Sequence, residues 1–243
     1  MNIPRFLLLF ASFSFLFINA TETKKIKMYT YCTPSHEILR DNWFLPSIKD
    51  DYEIIVKYNA QECAKAEYKE PGWHETMLSR ANIILEAIED NWDDFFIFSD
   101  LDIQFFQPTK DIIMRHIASH DIVFQRIANY PGACPGFFVC RGNDKTRQLW
   151  LNVKKRMTQI KGDDQDSLNH FLLNTNTGLR WGYFPIEFYH HGIVNPKTWN
   201  PGDDVYVPDN IVLHHACYTI GIDNKIKLLE KVKGIVVDRG IRS

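Results

Sequence analysis

The sequence FFIFSDLDIQFFQP, residues 95–108, decides the fold class of this chain. Its first four residues are all apolar, which is typical of a central strand that is buried on both faces of a sheet. The residues SDLD follow directly, so Asp100 and Asp102 stand just beyond the carboxyl end of that strand. Ligands bind at this edge of open α/β sheets. The stretch therefore predicts an α/β protein with a binding site at these two carboxylates.

Strands and helices alternate on both sides of this stretch, and the breaks fall at Pro, Gly and Asn or Asp. The alternation predicts one α/β domain with a mixed, mostly parallel central sheet flanked by helices. Late in the chain the pattern is less regular, and we expect His190 and His191 to lie at the tip of a loop. The predicted strands are 25–33, 52–58, 95–98, 121–126, 136–141 and 211–215, and the predicted helices are 35–48, 75–89, 109–119, 144–160, 164–173 and 223–233.

Composition excludes several classes of protein. The 243 residues carry 28 Lys+Arg and 30 Asp+Glu, a net charge of -2, so bulk positive charge cannot hold a nucleic acid. A hydrophobic content of 45% and a mean hydropathy of -0.27 are typical of a globular domain and exclude a polytopic membrane protein. We therefore expect no nucleic-acid partner.

The N-terminus has the pattern of a targeting segment. One cation, Arg5, precedes an apolar run from Phe6 to Ala20, which is shorter than the roughly 20 residues of a spanning helix. The pattern predicts a signal peptide over residues 1–20, with a short signal anchor as the alternative. We expect residues 21–243 to form a single domain in the lumen of the secretory pathway or outside the cell. An uncleaved anchor would associate it with a membrane.

The cysteines allow no disulfide framework to be deduced, because their number is odd and no CxxC pair occurs. A zinc site is disfavoured as well, since structural zinc sites usually draw on closely spaced thiols or imidazoles and these thiols are dispersed. The five are Cys32, Cys63, Cys134, Cys140 and Cys217.

Asp100 and Asp102 predict a cation site, because two adjacent carboxylates repel each other and Mg²⁺ or Mn²⁺ removes that repulsion. The Asp-x-Asp triplet alone is weak evidence, since it recurs at residues 164–166, and a solvated turn that caps the next helix is the alternative. An imidazole from His215, or from His214 in reserve, can complete such a site. Lys225 lies within reach of a diphosphate; a purely structural role for the histidines stays open.

Three further groups of residues have two possible roles each. Asp164 and Gln165 open a predicted helix, where they can face sugar hydroxyls; simple N-capping by Asp163 or Asp164 is the alternative. Arg80, on the helix before the Asp-x-Asp strand, is either a surface cation or a phosphate clamp. Aromatic residues can exclude water and stack on sugars, or pack in the core; these are Trp73, Trp181, Tyr183 and Trp199.

Four blocks, in this order and at these intervals, resemble the nucleotide-diphospho-sugar transferase family of glycosyltransferases. They are FFIFSDLDIQFFQP (95–108), GFFVCRGNDKTRQLW (136–150), DDQDSLNHFLL (163–173) and HHACYTIGIDNKIKLL (214–229). The resemblance covers most of residues 25–235 and implies a GT-A fold, a Rossmann-like sheet that binds a nucleotide sugar.

The resemblance also implies roles for individual residues. Asp100 and Asp102 would be the DxD motif that binds the nucleotide sugar through Mn²⁺ or Mg²⁺, with His215 as the third metal ligand. The family usually has His-Ala-Asn at this last position, whereas this chain has Cys217 in place of the Asn. Further matches place Lys225 at the diphosphate, Asp164 and Gln165 near the sugar and acceptor, and Arg80 at the donor.

The implied reaction is transfer of a sugar from a nucleotide-diphosphate sugar, taken to be a UDP-sugar, to a glycan or protein hydroxyl with retention of anomeric configuration. Two alternatives remain. FIFSDLDIQ also resembles the start of haloacid-dehalogenase-type phosphatases, although Gln104 stands where those enzymes have Thr or Val. The other alternative is a glycan-binding protein without activity on the same fold.

Overall fold

The computed structural model describes residues 24–64, 67–127 and 131–240, so the predicted leader lies outside the described residues. The strands are β1 (Lys27–Cys32), β2 (Glu53–Tyr58), β3 (Phe95–Ser99), β4 (Ile103–Phe105), β5 (Ile122–Arg126), β6 (Ala133–Arg141), β7 (Trp181–Tyr183), β8 (Phe188–His190) and β9 (Leu213–His215). The helices are α1 (Glu37–Leu39), α2 (Leu45–Ser47), α3 (Trp73–Asp90), α4 (Lys110–Ile117), α5 (Asp144–Ile160), α6 (Asp164–Asn174) and α7 (Ile222–Asp238). A π-helical turn, Arg40–Phe44, joins α1 to α2.

The central sheet has six strands in the order β2-β1-β3-β6-β5-β7. β1 is parallel to β2 and β3, and β5 is parallel to β7, whereas β6 is antiparallel to both of its neighbours. Five of the six strands therefore run in one direction, which confirms the predicted mixed, mostly parallel sheet. β3 lies in the interior of this sheet, as its apolar sequence predicts.

Side chains of β3 alternate between two hydrophobic cores, one on each face of the sheet. Phe96 and Phe98 pack into the core that α3, α5 and α6 cover. Ile97 points the opposite way, into the core that contains α4 and α7. The alternation follows from the twofold side-chain period of a strand and explains why this strand has no polar face. Helices therefore cover both faces of the sheet, as predicted.

A second sheet of three strands, in the order β4-β9-β8, lies beside the central one. β4 directly follows the Asp-x-Asp turn and pairs antiparallel with β9, while β8 pairs parallel with β9. The sequence patterns do not predict β4 or β8, because three residues are too few to display a period. This small sheet brings the late histidines to the carboxyl end of β3.

The prediction that His190 and His191 form an exposed loop tip is wrong. His190 ends β8, where it pairs with His215 of β9, and His191 begins a 3-10 turn. Both side chains are buried, and burial lowers the pKa of His190 to about 4. The apolar residues on both sides, Phe188 and Ile193 among them, draw this segment into the core. Two adjacent polar residues suggest exposure, and the prediction did not take their apolar neighbours into account.

Other elements are close to the predicted bounds. Asn143 caps α5 through a capping box: its side chain accepts hydrogen bonds from the backbone of Lys145 and Thr146. α7 runs to Asp238, past its predicted end near residue 233. No helix in the described ranges combines the length and apolar character needed to cross a bilayer.

Candidate active site

A cavity of about 500 Å³ opens at the carboxyl ends of β1 and β3, the edge at which a binding site was predicted. The link from β3 to β4, the start of β6, the starts of α6 and α7, and the end of β9 all contribute to its wall. Seven of the residues that the sequence nominates for the site line this one cavity: Arg80, Asp100, Asp102, Asp164, Gln165, His215 and Lys225. The fold therefore brings together residues that span most of the described sequence.

One donor atom from each of Asp100, Asp102 and His215 lies within 4.8 Å of the others. Nε2 of His215 is 3.3 Å from Oδ1 of Asp102 and 3.8 Å from Oδ2 of Asp100. Two carboxylates and one imidazole form a donor set suited to Mn²⁺ or Mg²⁺. The residues present therefore fit the metal that the sequence resemblance implies.

The period of β9 decides which of its two histidines faces the carboxylates. Successive side chains of a strand point to opposite faces, so His215 faces Asp100 and Asp102 while His214 points away. Neither ring nitrogen of His214 has a hydrogen-bond partner, and burial lowers the pKa of this histidine to about 3. The structure thus places His215, rather than the reserve candidate His214, with the possible metal ligands Asp100 and Asp102.

Electrostatics within the group separate the two carboxylates. Burial raises the pKa of Asp100, against the effect of the Arg80 cation. For Asp102 burial acts in the same direction, but Lys225 and His215 hold its pKa well below the ordinary value. Burial acts to lower the pKa of His215, yet Asp102 outweighs it and raises that pKa to about 10. Without a metal, therefore, the cluster is held together by ion pairs.

Gln125, on β5, orients His215. The sequence patterns gave this residue no role. Its Nε2 donates to the backbone carbonyls of Phe188 and Tyr189, at 3.1 and 3.2 Å, which fixes the direction of the amide group. Its Oε1 therefore faces His215 and lies 2.9 Å from Nδ1, so that Nδ1 carries the proton and donates it. Nε2 therefore faces the carboxylates, where it pairs with Asp102 while protonated and would offer its lone pair to a metal that displaces this proton. A buried polar residue on a strand is the only sequence signal for this role.

Arg80 lies beneath the carboxylates, with a side chain that is 3% exposed, so the surface-cation alternative is wrong. Its Nη2 is 3.1 Å from Oδ1 of Asp100 and donates to the carbonyl of Pro135, while Nη1 pairs with Asp164. The guanidinium group thereby joins the start of α6 to the Asp-x-Asp turn. Contact between Arg80 and a nucleotide-sugar donor stays a prediction.

The start of α6 divides two roles between adjacent residues. Asp163 caps the helix, since its side chain accepts a hydrogen bond from the backbone N of Asp166 at 2.6 Å. Asp163 also borders the cavity, and the next two residues, Asp164 and Gln165, line it without capping the helix. On the far wall, Lys225 in the first turns of α7 pairs with Asp102. The carboxylate, the amide and the ammonium thus surround one space.

Gly136, on β6, leaves the space in which His215 and Asp100 approach each other. A Cβ at this position would lie 2.1 Å from Cε1 of His215 and 2.9 Å from Oδ2 of Asp100. The backbone of the same residue holds the turn, because the Asp100 N–H donates to its carbonyl at 2.7 Å. A side chain here would push the imidazole and the carboxylate apart.

Of the aromatic residues proposed as cavity walls, Trp73 lines the cavity, packed edge-to-face against Tyr68 at 4.9 Å between ring centroids. Trp181 and Tyr183 lie on the edge strand β7 and pack against the core below α5 and α6. Trp199 is buried and donates through Nε1 to the carbonyl of Asp203. The packing role fits these last three.

A sequence model of nucleotide-diphospho-sugar transferases matches residues 44–229, which is most of the chain and includes all four blocks singled out above. The chain belongs to the nucleotide-diphospho-sugar transferase family. This confirms the resemblance that the blocks carry. A comparison with curated proteins found no match.

Solved structures of glycosyltransferases share the fold of this transferase-family chain. The glycosyltransferase GlyE of Streptococcus pneumoniae TIGR4 superimposes with a TM-score of 0.55 and 8% identity, over 89% of this chain and 64% of GlyE. A glycosyltransferase involved in glycosylation of the major capsid of PBCV-1 gives 0.51 and 11%, over 87% and 100% of the two chains. The bifunctional glycosyltransferase WbbM gives 0.51 and 7%, over 91% and 53%. The chain spans under two thirds of GlyE and about half of WbbM.

Proposed function

We propose that this chain is a metal-dependent glycosyltransferase that transfers a sugar from a nucleotide-diphosphate sugar, with UDP as the nucleotide, to a hydroxyl of a glycan or protein. One observation carries the proposal: the donor atoms of Asp100, Asp102 and His215 converge at the cavity of a transferase-family fold. These residues would hold Mn²⁺ or Mg²⁺, which supplies positive charge for the leaving diphosphate.

The remaining residues act on charge and position. Transfer develops negative charge on the diphosphate, and Lys225 is the cation on the cavity wall that can turn from Asp102 toward it. Arg80 already pairs with two carboxylates and donates to a carbonyl, so we assign it to holding Asp100 and Asp164 in place. Gln165 offers an amide to the hydroxyls of the sugar or acceptor.

The carboxylates around the cavity favour retention of anomeric configuration. An inverting enzyme needs a base that is free to take the proton of the acceptor hydroxyl. Each carboxylate described on this wall is engaged elsewhere: Asp100 and Asp164 by Arg80, Asp102 by Lys225 and His215, and Asp163 by the backbone of α6.

Location and partners follow from the N-terminal pattern, and we propose that the enzyme works in the lumen of the secretory pathway or outside the cell. An uncleaved residue 1–20 segment would tether it to a membrane. The acceptor would then be a glycan or glycoprotein in the same compartment.

Replacement of Asp102 tests the proposal. We expect Asp102→Ala to abolish Mn²⁺-dependent release of nucleoside diphosphate, measured over a panel of nucleotide sugars. Asp51→Ala is the matched control, because Asp51 pairs with Lys110 at 2.9 Å on the surface, away from the cavity. Thermal melting verifies that both variants fold. Full activity in folded Asp102→Ala would overturn the assignment.

The same preparation separates the two alternatives. Phosphate release from a generic phosphomonoester would indicate the phosphatase, although the family match argues against it. Calorimetry with UDP and Mn²⁺ tests the second alternative, since a glycan-binding protein without activity would bind neither.

A further inference from the structure

Two thiols and a histidine that are far apart in the sequence meet beside the candidate active site. Sγ of Cys134, Sγ of Cys217 and a ring nitrogen of His190 lie within 4.8 Å of one another. They come from the start of β6, the loop after β9 and the end of β8. Cys134 and His190 are buried, and Cys217 is half-buried. Dispersal along the chain therefore does not keep these thiols apart.

The ring of His190 is oriented as metal-binding imidazoles are. Its Nε2 lies 2.6 Å from the backbone carbonyl of Arg126, so this nitrogen carries the proton and donates it. Nδ1 is left with its lone pair; it is buried and has no hydrogen-bond partner. Metal-ligating histidines commonly donate their other N–H to a backbone carbonyl in this way. The unpartnered Nδ1 thus indicates a ligand that the protein itself does not supply.

We propose that Cys134, Cys217 and His190 form a second metal site, selective for a thiophilic divalent cation such as Zn²⁺. Zn–S bonds of about 2.3 Å and Zn–N bonds of about 2.0–2.1 Å in a tetrahedron hold the ligands about 3.5–3.8 Å apart. Atoms within 4.8 Å reach those separations by side-chain rotation. Two thiolates and a neutral imidazole also cancel the charge of the cation, which suits a buried position.

The two metal sites differ in chemistry and therefore in the ion that each selects. Carboxylate oxygens at Asp100 and Asp102 suit Mn²⁺ or Mg²⁺, whereas thiolates select Zn²⁺. Cys134 and Cys217 also line the cavity, so a water from the cavity can take the fourth position of the zinc ion.

The second site has a positioning role. It ties β6 of the large sheet to β8 and to the loop that leaves β9, and Sγ of Cys134 lies 3.9 Å from Nδ1 of His215. A cation held here would fix the end of β9 and with it the imidazole that faces Asp102. Metal binding at these three residues would not require sugar transfer.

A disulfide between Cys134 and Cys217 is the competing fate of the two thiols. Its formation would transfer two electrons and release two protons to a disulfide oxidant such as glutathione disulfide, joining the two sulfur atoms. Both thiols are free in this structure, and a disulfide would leave Nδ1 of His190 buried without a partner. The observations therefore favour the metal.

Metal analysis of the full chain, expressed without added chelator, tests the site. We expect about one bound Zn²⁺ per chain and, after exchange with Co²⁺, a thiolate-to-cobalt charge-transfer absorption. Cys134→Ser and Cys217→Ser should lose that absorption and weaken zinc binding at least about tenfold, as loss of a ligand or its support does.

Two controls separate this site from its neighbour. Cys63→Ser removes another buried thiol of the cavity wall, and Asp102→Ala removes a ligand of the oxygen-rich site; both should keep the absorption. If a serine variant folds poorly, removal of the metal from the wild-type protein with a chelator serves as the test instead. This treatment should lower the melting temperature of the wild type. Absence of the thiolate absorption from the Co²⁺ form of the wild type, or a Cys134–Cys217 disulfide-linked peptide in the purified protein, would overturn the proposal.

Discussion

Replacement of Gln125 by leucine tests how the orientation of His215 affects metal binding, while His215 itself is kept. The change removes the acceptor that holds the Nδ1 proton of His215 at 2.9 Å, while Asp100, Asp102 and His215 all remain. The ring is then free to rotate, and Nε2 is no longer held toward the carboxylates. We therefore expect Gln125→Leu to bind Mn²⁺ with UDP more weakly than the wild type.

The size of the effect follows from the hydrogen bonds lost. Removing the partner of a metal-ligating histidine typically weakens metal binding about 10–100-fold, which corresponds to about 1.4–2.8 kcal/mol. The same change also removes the side-chain donor that the buried carbonyls of Phe188 and Tyr189 share. That loss costs about 1–3 kcal/mol of the free energy of unfolding, so the variant should melt at a lower temperature but remain folded.

Titration calorimetry with Mn²⁺ and UDP measures the first effect, and thermal melting measures the second. Gln104→Leu is a matched control, because Gln104 is another buried glutamine, on β4, whose Oε1 has no hydrogen-bond partner. It should leave Mn²⁺ binding within about twofold of the wild type. Unchanged affinity in folded Gln125→Leu, or an equal loss in both variants, would refute the argument that this amide orients His215.

Two further predictions concern stability. Asn143→Ala removes the capping box of α5 and should lower the free energy of unfolding by about 0.5–2 kcal/mol in denaturant titrations; Asn143→Gly, which retains most of the cap preference, should cost less. Asp121 is buried, which acts to raise its pKa, but hydrogen bonds from Arg180 hold that pKa below its ordinary value of 3.8. The folded state therefore resists protonation, and the stability that this carboxylate contributes is present above pH 3.8 and is lost as pH falls through the folded pKa. Asp121→Asn should destabilise the fold by about 1.5–3 kcal/mol near neutral pH, with the difference from wild type shrinking below about pH 4; a constant difference would contradict the assignment.

Local patterns in the sequence predict the elements whose length exceeds a few residues. β3 and α3 are examples, since a wholly apolar run and a three-and-four spacing each need no information from distant residues. β4 and β8 have three residues each, and they exist because β9 pairs with both. The burial of His190 depends in the same way on β9, a partner strand that is distant in the sequence, so local patterns do not predict it.

The same distinction applies to the candidate site. Asp100, Asp102 and His215 belong to sequence blocks that resemble a family, so each is nominated by its own neighbours. Gln125 and Cys134 belong to no block, and nothing in the block that contains Cys217 points to Cys134, because these residues meet only when β5, β6 and β9 come together. Side chains that orient a ligand are harder to find in a sequence than the ligands themselves.

The absence of one methyl group at residue 136 supplies a rule for judging other chains of this kind. Gly136 does not have the positive φ that would call for glycine on conformational grounds, so the requirement is one of volume alone. A related chain that keeps the two carboxylates and the late histidine, but has alanine or a larger residue here, would have to hold them in a wider arrangement. The residue at position 136 therefore indicates whether Asp100, Asp102 and His215 can approach one another as closely as they do here.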